Sequence, residues 1–378
     1  AYFCSPFDEA AVLTFDGVGE WSTTTMGSGK GADLDLTREL HFPHSIGLLY
    51  SAFTAFLGFE VNEGEYKVMG MAPYGVPRYV DQVWKVLRQG DYGAFGLDPQ
   101  YFSIHYSTTR SYTRKFTDLF GEPRSPEVPF FTQTSGYPSY YGERPRNFDE
   151  QCSYNQHYAD VAASVQAVTE ELIVNLAREL HRQTGLNRLC LAGGVALNSV
   201  ANARILQDTP FQELYIQPSA GDGGGALGAA LFAWHCALGN SGRFVMDHAY
   251  WGQSYGIDEI RSAISDSGMK GQLIEDESKL AEITVEHLTS GKVVGLFQGR
   301  FEWGPRALGN RSILADPRQG EMKDIVNNKI KFREPFRPFA PAVLAEASER
   351  YFDLPNPDQH LPARFMLLVV PVHEDKQE

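Results

Sequence analysis

Apolar positions along this chain follow two alternating rhythms: short branched runs bounded by Gly or Asp, and longer stretches spaced by three and four. The alternation predicts an α/β fold. Residues 10–17 predict a buried strand ending in an Asp16-Gly17 turn, and the Thr-rich residues 20–26 with residues 36–42 predict the rest of a meander, turning at Gly27-Ser28-Gly29. Ile46, Leu49, Phe53, Phe56 and Leu57 predict a helix over 44–59 capped by Ser45. Residues 65–75 begin charged and end in small and turn-forming residues, which reads equally as a tightly packed active-site loop or as a helix exit. Residues 121–147 accumulate Pro, Gly, Ser and Tyr and predict a long surface excursion. A clear helix follows over 154–182, with Val161, Val165, Val168, Leu172, Leu176 and Leu180 on one stripe.

After that helix the order repeats. A strand at 188–192 leads into Gly193-Gly194-Val195-Ala196-Leu197-Asn198 and a helix over 199–206; a strand at 213–216 leads into a second Gly-rich loop at 218–225. The helix over 226–238 is packed with Ala and Gly and can lie close against a sheet. This order implies parallel strands with both loops at their carboxyl ends. There Gly lets the backbone approach phosphates and the helix N-terminus offers free N–H groups, so Gly193, Gly194, Gly221 and Gly223 are candidate nucleotide contacts. Gly-rich turns also serve simply as tight connections. Asp222 suits a metal ligand or a hydrogen bond to a nucleotide, and Asp16 reads either as a functional carboxylate or as part of an ordinary Asp-Gly turn. His41 and His44 flank Pro43, which disfavours the continuous helix a metal pair at that spacing needs; they read as structural.

From about residue 258 a second domain begins. A helix over 279–288 and a buried strand at 293–297 feed Gln298-Gly299-Arg300-Phe301-Glu302-Trp303-Gly304-Pro305-Arg306-Ala307-Leu308-Gly309-Asn310-Arg311-Ser312 and its continuation to Arg318. Residues 325–331 predict a short helix presenting Asn327, Asn328 and Lys331, residues 333–341 a stiff loop with three prolines, and residues 365–370 a further strand. Between Arg300 and Arg337 nine Lys/Arg stand against five Asp/Glu, a net +4 in a chain of −14, so the remainder carries −18. Arg holds carboxylate or phosphate through two parallel hydrogen bonds, and a cationic pocket in an acidic protein suits a small anion. Surface charges paired with Glu302, Asp316 and Glu334 are the plainer explanation; the interleaved Gly, Pro and Trp favour a shaped loop.

The 378 residues allow two domains, and 43% hydrophobic with 21% charged residues is ordinary globular composition. No stretch reaches the length of a membrane helix and no secretory pattern is present, so a cytoplasmic location is expected. Cys4, Cys152, Cys190 and Cys236 lie far apart, which argues against a zinc site or disulfide framework, and Cys190 reads as a small core hydrophobe. The negative charge disfavours nucleic acid and anionic membranes as partners; small molecules are expected instead. The chain opens at Ala1-Tyr2-Phe3 without Met, close to its first strand, and closes at Glu378 just after another, which reads as a fragment of a longer protein.

Taken together, residues 5–17, Glu65 to Gly75, Gly193 to Asn198, Ser219 to Gly228, Gln298 to Arg318 and Lys331 to Pro341 resemble the O-carbamoyltransferases of the nodulation-protein and antibiotic-biosynthesis type, the Gly-Pro-Arg-Ala-Leu-Gly-Asn-Arg-Ser run most specifically. The resemblance implies an actin/Hsp70-like (ribonuclease H-like) ATPase domain over 1–245, incomplete at its start, and a YrdC-like α+β domain over 246–378, incomplete at its end. It implies carbamoyl-adenylate formation from carbamoyl phosphate and ATP in the second domain, and transfer to a hydroxyl of a sugar or other natural product in the first. Arg306, Arg311, Lys331, Arg333 and Arg337 would screen the converging negative charges. Gly193, Gly194, Asn198, Gly221, Gly223 and Ser312, with Lys67 near the same site, would hold the nucleotide. Asp16 and Asp222 would hold part of a divalent metal site, for Fe, Mn or Zn. The family's His-x-x-x-His pair before the first strand is absent from this chain. The acceptor, the metal and the oligomeric state, a homo-oligomer included, stay open.

Two other function classes compete. A nucleotide-switched binding module of the actin/Hsp70 kind explains both Gly-rich loops but gives the Arg-rich segment no role. A sugar kinase or the related tRNA-modifying ATPase leaves the second domain unexplained, and the acidic charge argues against tRNA.

Overall fold

The computed structural model describes residues 1–138 and 141–377. Residues 139 and 140, inside the expected excursion at 121–147, and the terminal Glu378 lie outside the described residues. The chain divides into two compact units: one holds Ala1–Asp247, Phe336–Pro338 and the residues from Ala342 on, the other His248–Pro335 and Phe339–Pro341.

The first unit is built on β1 (Glu9–Phe15), β2 (Ser22–Lys30) and β3 (Asp33–His41), then α1 (Ile46–Phe56), α2 (Glu65–Met71), α3 (Val80–Lys85), the small hairpin β4 (Leu87–Gln89) and β5 (Phe95–Leu97), and α4 (Arg114–Phe120). The long α5 (Phe148–Thr184), β6 (Arg188–Ala192), α6 (Ser199–Asp208), β7 (Glu213–Ile216) and α7 (Gly223–Phe232) follow. The mixed sheet runs β3-β2-β1-β6-β7, antiparallel through the meander and parallel from β1 through β7. Ala11 pairs with Leu189 and Cys190 with Tyr215, which places the carboxyl ends of β1, β6 and β7 together. The stripe of α5 from Val161 to Leu180 is buried, and α5 ends on Gly185 in the left-handed conformation. Ser45 accepts from the Leu48 N–H and caps α1. Burial pushes the Cys190 thiol up to about 12, as an inert core side chain requires.

Three local expectations are corrected. Gly27-Ser28-Gly29 is not a turn but the middle of β2, and the chain reverses at Gly31-Ala32. A Cβ on Gly27 would overlap the Asp35 carbonyl and one on Gly29 would meet the Tyr2 ring at 2.5 Å, so these glycines answer close packing. Residues 365–370 are not a strand: Met366 has φ +54°, and the Leu367 carbonyl and Val369 N–H bond to Asn202 and Ser199 instead of a ladder. Helix α7 buries none of its residues; it touches the turn at Tyr2–Cys4 and continues as a π-helical turn, Ala233–Ala237, that reaches the edge strand β3. The excursion is anchored inward, with Phe130 and Phe131 both buried.

The second unit contains α8 (Ile257–Asp266), α9 (Glu277–Thr289), β8 (Val294–Phe297), β9 (Arg311–Leu314) and α10 (Met322–Ile325), which runs into a π-helical turn, Val326–Ile330. The expectation of a buried strand at 293–297 is corrected: β8 pairs with β9 in a two-stranded sheet that leaves Phe297 54% exposed. The short α11 (Leu361–Arg364) belongs to the first unit.

Candidate active site

At the carboxyl end of β1 the backbone of Asp16 is held twice. Its N–H donates to the Thr23 carbonyl at 2.9 Å, and its carbonyl accepts from the Ser45 hydroxyl at 2.7 Å. Its carboxylate Oδ1 then accepts the Gly194 N–H at 3.2 Å. Gly193 has φ +98°, donates to the Ala220 carbonyl at 2.8 Å, and has no room for a Cβ beside the Phe15 carbonyl. A Cβ on Gly221 would stand 3.7 Å from the Gly194 Cα, so the turns after β6 and β7 lie side by side. The structure therefore brings Asp16, Gly193, Gly194 and Gly221 to one place. Asp222, exposed, and Gly223 continue from it into α7. Two carboxylates at such an edge offer hard oxygen donors suited to a divalent cation. Among the described residues no group of three or more His, Cys, Asp and Glu forms a metal cluster.

Asn198 stands behind this edge with its side chain engaged. Its Oδ1 accepts from the Ala201 N–H at 3.1 Å and caps α6, and its Nδ2 donates to Gln166 Oε1 at 3.1 Å. Gln166 returns a bond to Asn198 Oδ1 at 3.2 Å, donates to Glu170 Oε1 at 2.8 Å, and accepts the Tyr50 hydroxyl at 2.8 Å. Arg204 closes the chain on Glu170 Oε2 at 2.9 Å. Burial raises the Tyr50 phenol well above its ordinary value, so it stays a donor. Sequence reasoning missed Gln166. The signal was present: a polar residue inside the buried part of α5, between Val165 and Val168.

A second patch unites candidates from opposite parts of the chain. The Arg337 guanidinium lies 4.4 Å from the centre of the Tyr66 ring, on α2, next to Lys67, whose ammonium is 5.6 Å from the Phe59 ring. Phe336 packs against Phe59 and Phe130, and its carbonyl accepts the Tyr74 hydroxyl at 3.5 Å. Residues 65–75 are thus a helix and its 3-10 exit, carrying Lys67.

In the second unit the Arg-rich segment is a wide loop joining β8 to β9. Glu302 gathers it: one carboxylate oxygen, Oε1, accepts the N–H groups of Leu308 at 2.9 Å, Asn310 at 2.8 Å and Arg311 at 3.1 Å. Burial works to raise the Glu302 carboxyl, but these backbone donors outweigh it and leave the group below its ordinary value. The segment at 249–252 supports the loop from outside, with the Tyr250 hydroxyl on the Leu308 carbonyl at 2.7 Å and the Gly252 N–H on the Phe301 carbonyl at 2.9 Å.

Arg306 lies within that loop, half-buried, and burial lowers its guanidinium from the ordinary value. Arg311 turns back onto the hairpin. Its guanidinium sits 3.7 Å and 4.0 Å from the Phe297 and Phe301 ring centres and donates to the carbonyls of Gln298, Gly299 and Asn310. The Ser312 hydroxyl accepts the Gly309 N–H at 3.0 Å. Further on, Arg333 donates to Asn327 Oδ1 at 2.6 Å and lies 4.5 Å from the Phe339 ring, while Lys331 is exposed at the end of the π-helical turn. Glu302 was missed as a candidate because a lone acid among arginines looks like a surface partner, and Tyr250 because it lies outside the segment it supports.

No helix among the described residues is long and apolar enough to cross a membrane. Residues 1–231 match the family described as Carbamoyltransferase N-terminus and residues 285–378 that described as Carbamoyltransferase C-terminus. An uncharacterized protein of Synechocystis sp. is 47% identical over 385 residues, covering 99% of this chain and 57% of its own length. Nodulation protein NolNO of Sinorhizobium fredii is 36% identical over 386 residues, covering 100% of this chain and 50% of its own length. A 3'-hydroxymethylcephem-O-carbamoyltransferase of Streptomyces clavuligerus is 28% identical over 335 residues, covering 78% of this chain and 61% of its own length. The chain spans about half the length of these curated relatives.

Proposed function

The chain belongs to the carbamoyltransferase family, and we propose that it activates the carbamoyl group of carbamoyl phosphate with ATP as carbamoyl-adenylate and passes it to a hydroxyl of a small-molecule acceptor. Making the adenylate takes up water and releases phosphate and pyrophosphate. On this reading residues 1–245 form an actin/Hsp70-like (ribonuclease H-like) domain and residues 246–378 a YrdC-like one. The sheet order, a meander extended by two parallel strands, is in keeping with the first assignment.

The observation that carries the reading is the meeting of Asp16, Gly193, Gly194 and Gly221 at the ends of parallel strands. Backbone N–H groups there can approach the nucleotide, with Asn198 and Gln166 holding the turn from behind. Asp16 and Asp222 would supply two ligands to a divalent metal, which when bound acts as a Lewis acid on the carbamoyl carbonyl. Arg306, Lys331 and Arg333 in the second unit offset the charge of carbamoyl phosphate and the triphosphate as they approach; in the first unit Arg337, with Lys67 near it on α2, is a further cationic candidate. Arg311 and Ser312 keep the loop in shape. The acceptor is a hydroxyl-bearing sugar or other natural product.

Calorimetric titration of the full-length protein with carbamoyl phosphate, and separately with a non-hydrolysable ATP analogue, tests the proposal. Both should bind, and Arg337→Ala should weaken carbamoyl phosphate at least about tenfold, the equivalent of about 1.4 kcal/mol. Binding of the ATP analogue with no binding of carbamoyl phosphate would instead favour a nucleotide switch or a sugar kinase.

A further inference from the structure

Glu302 lies in the most basic part of the chain, yet its Oε1 points to the loop backbone. That one oxygen takes three N–H groups spread over Leu308, Asn310 and Arg311, closing a ring of backbone from 302 to 311. Gly304, Pro305 and Arg306 lie within this ring, between Glu302 and the first of its backbone donors. The Gly304 φ of +105° and the Gly309 φ of +110° mark two corners that no regular hydrogen-bond ladder holds. The Asn310 side chain ties the base of the ring to the Arg300 carbonyl at 2.8 Å, and Tyr250 ties its far side at Leu308. Beside the Asn310–Arg300 tie, the carboxylate joins residue 302 to three backbone donors at the other end of the ring.

We infer that Glu302 is the positioning residue for Arg306: its carboxylate fixes the loop so that the Arg306 guanidinium is presented in one orientation to the anionic substrate. The alternative is that Glu302 merely stabilises the unit. The two differ in what removing it does. A positioning role makes the effect of losing Glu302 run through Arg306, so the two substitutions cannot be additive. It also lets Glu302→Gln substitute, since the amide keeps an acceptor oxygen at the same distance along the side chain.

The inference rests on the carbamoyl-adenylate reading for one of its two tests, and the other is independent of activity. In the first, pyrophosphate release with carbamoyl phosphate is compared for the full-length protein, Glu302→Ala, Glu302→Gln, Arg306→Ala and the Glu302→Ala/Arg306→Ala double variant. Glu302→Ala should lower kcat about 10²-fold, as a misplacement of about 1 Å can, with the KM for ATP little changed. Glu302→Gln should recover most of the rate, and the double variant should be no worse than Arg306→Ala alone. Equal activity of Glu302→Ala, or a fully additive double variant, overturns the inference. An unmodified protein that releases no pyrophosphate refutes the reaction and not the positioning.

The second test then decides: the rate at which phenylglyoxal modifies Arg306, followed by peptide mass spectrometry well below the melting temperature. Glu302→Ala should modify about tenfold faster than the unmodified protein, as expected when a half-buried group is released to solvent, and Glu302→Gln should stay slow. An unchanged rate in Glu302→Ala overturns the inference whatever the activity.

Discussion

The two candidate regions are built in opposite ways. At the ends of β1, β6 and β7 the geometry comes from backbone: parallel strands in register bring the turns together, and Gly193 is there because nothing larger fits against the Phe15 carbonyl. In the β8–β9 loop the geometry comes from side chains: a two-stranded sheet gives little burial, so Glu302, Tyr250, Arg311 and Ser312 fold the loop around themselves. Backbone sites tolerate change in neighbouring side chains but not in their glycines. Side-chain sites tolerate backbone looseness but depend on a few polar atoms.

The sharpest way to break this contrast is Gly193→Ala. The added methyl meets a core-strand carbonyl and the residue needs φ +98°, so the first unit should lose several kcal/mol of stability, on the order of 3 or more. A thermal melt would show it; a variant that melts like the original would mean the turn is not backbone-built. A smaller effect separates the regions by acid. Arg182, with help from Gln183 and Arg38, holds the Glu179 carboxyl at about 2 against an ordinary 4.5. The unfolded chain therefore binds this proton more readily. The stabilisation is complete above about pH 4.5 and disappears as pH falls towards about 2. Arg318 likewise holds Asp316 at about 2, but from two residues away, a contact the unfolded chain can also make. Melting temperatures measured through that window should therefore fall with acid, with Glu179→Gln flattening the fall more than Asp316→Asn does. The reverse order would contradict the difference between a pairing that needs the folded α5 and Arg38 and one made between residues two apart.

What the sequence made legible follows the same division. Strands β1, β6 and β7 are read nearly to their ends, and α5 at its carboxyl end though it begins at Phe148, six residues before the expected 154, because branched runs and a 3.6-residue stripe respond to one buried face each. The candidate residues Asp16, Gly193, Gly194 and Gly221 were legible too, since they sit where those strands stop. Glycine in β2 misled, because a turn residue and a close-packing residue are the same letter. The apolar run at 365–370 misled because burial alone does not make a ladder: Leu367 is fully buried, yet its backbone bonds to Asn202. The partners of Arg337 on Tyr66 and of Asn198 on Gln166 were out of reach, because contacts between distant segments leave no local period.

Pyrophosphate release from ATP by the full-length protein, with and without carbamoyl phosphate and beside the Arg306→Ala variant, tests the carbamoyl-adenylate proposal most directly. Release that requires carbamoyl phosphate and falls about 10²–10³-fold in Arg306→Ala, the range seen when one charge-stabilising donor is removed, is the predicted result. Release that is the same without carbamoyl phosphate, or absent under every condition from a folded protein, would contradict it.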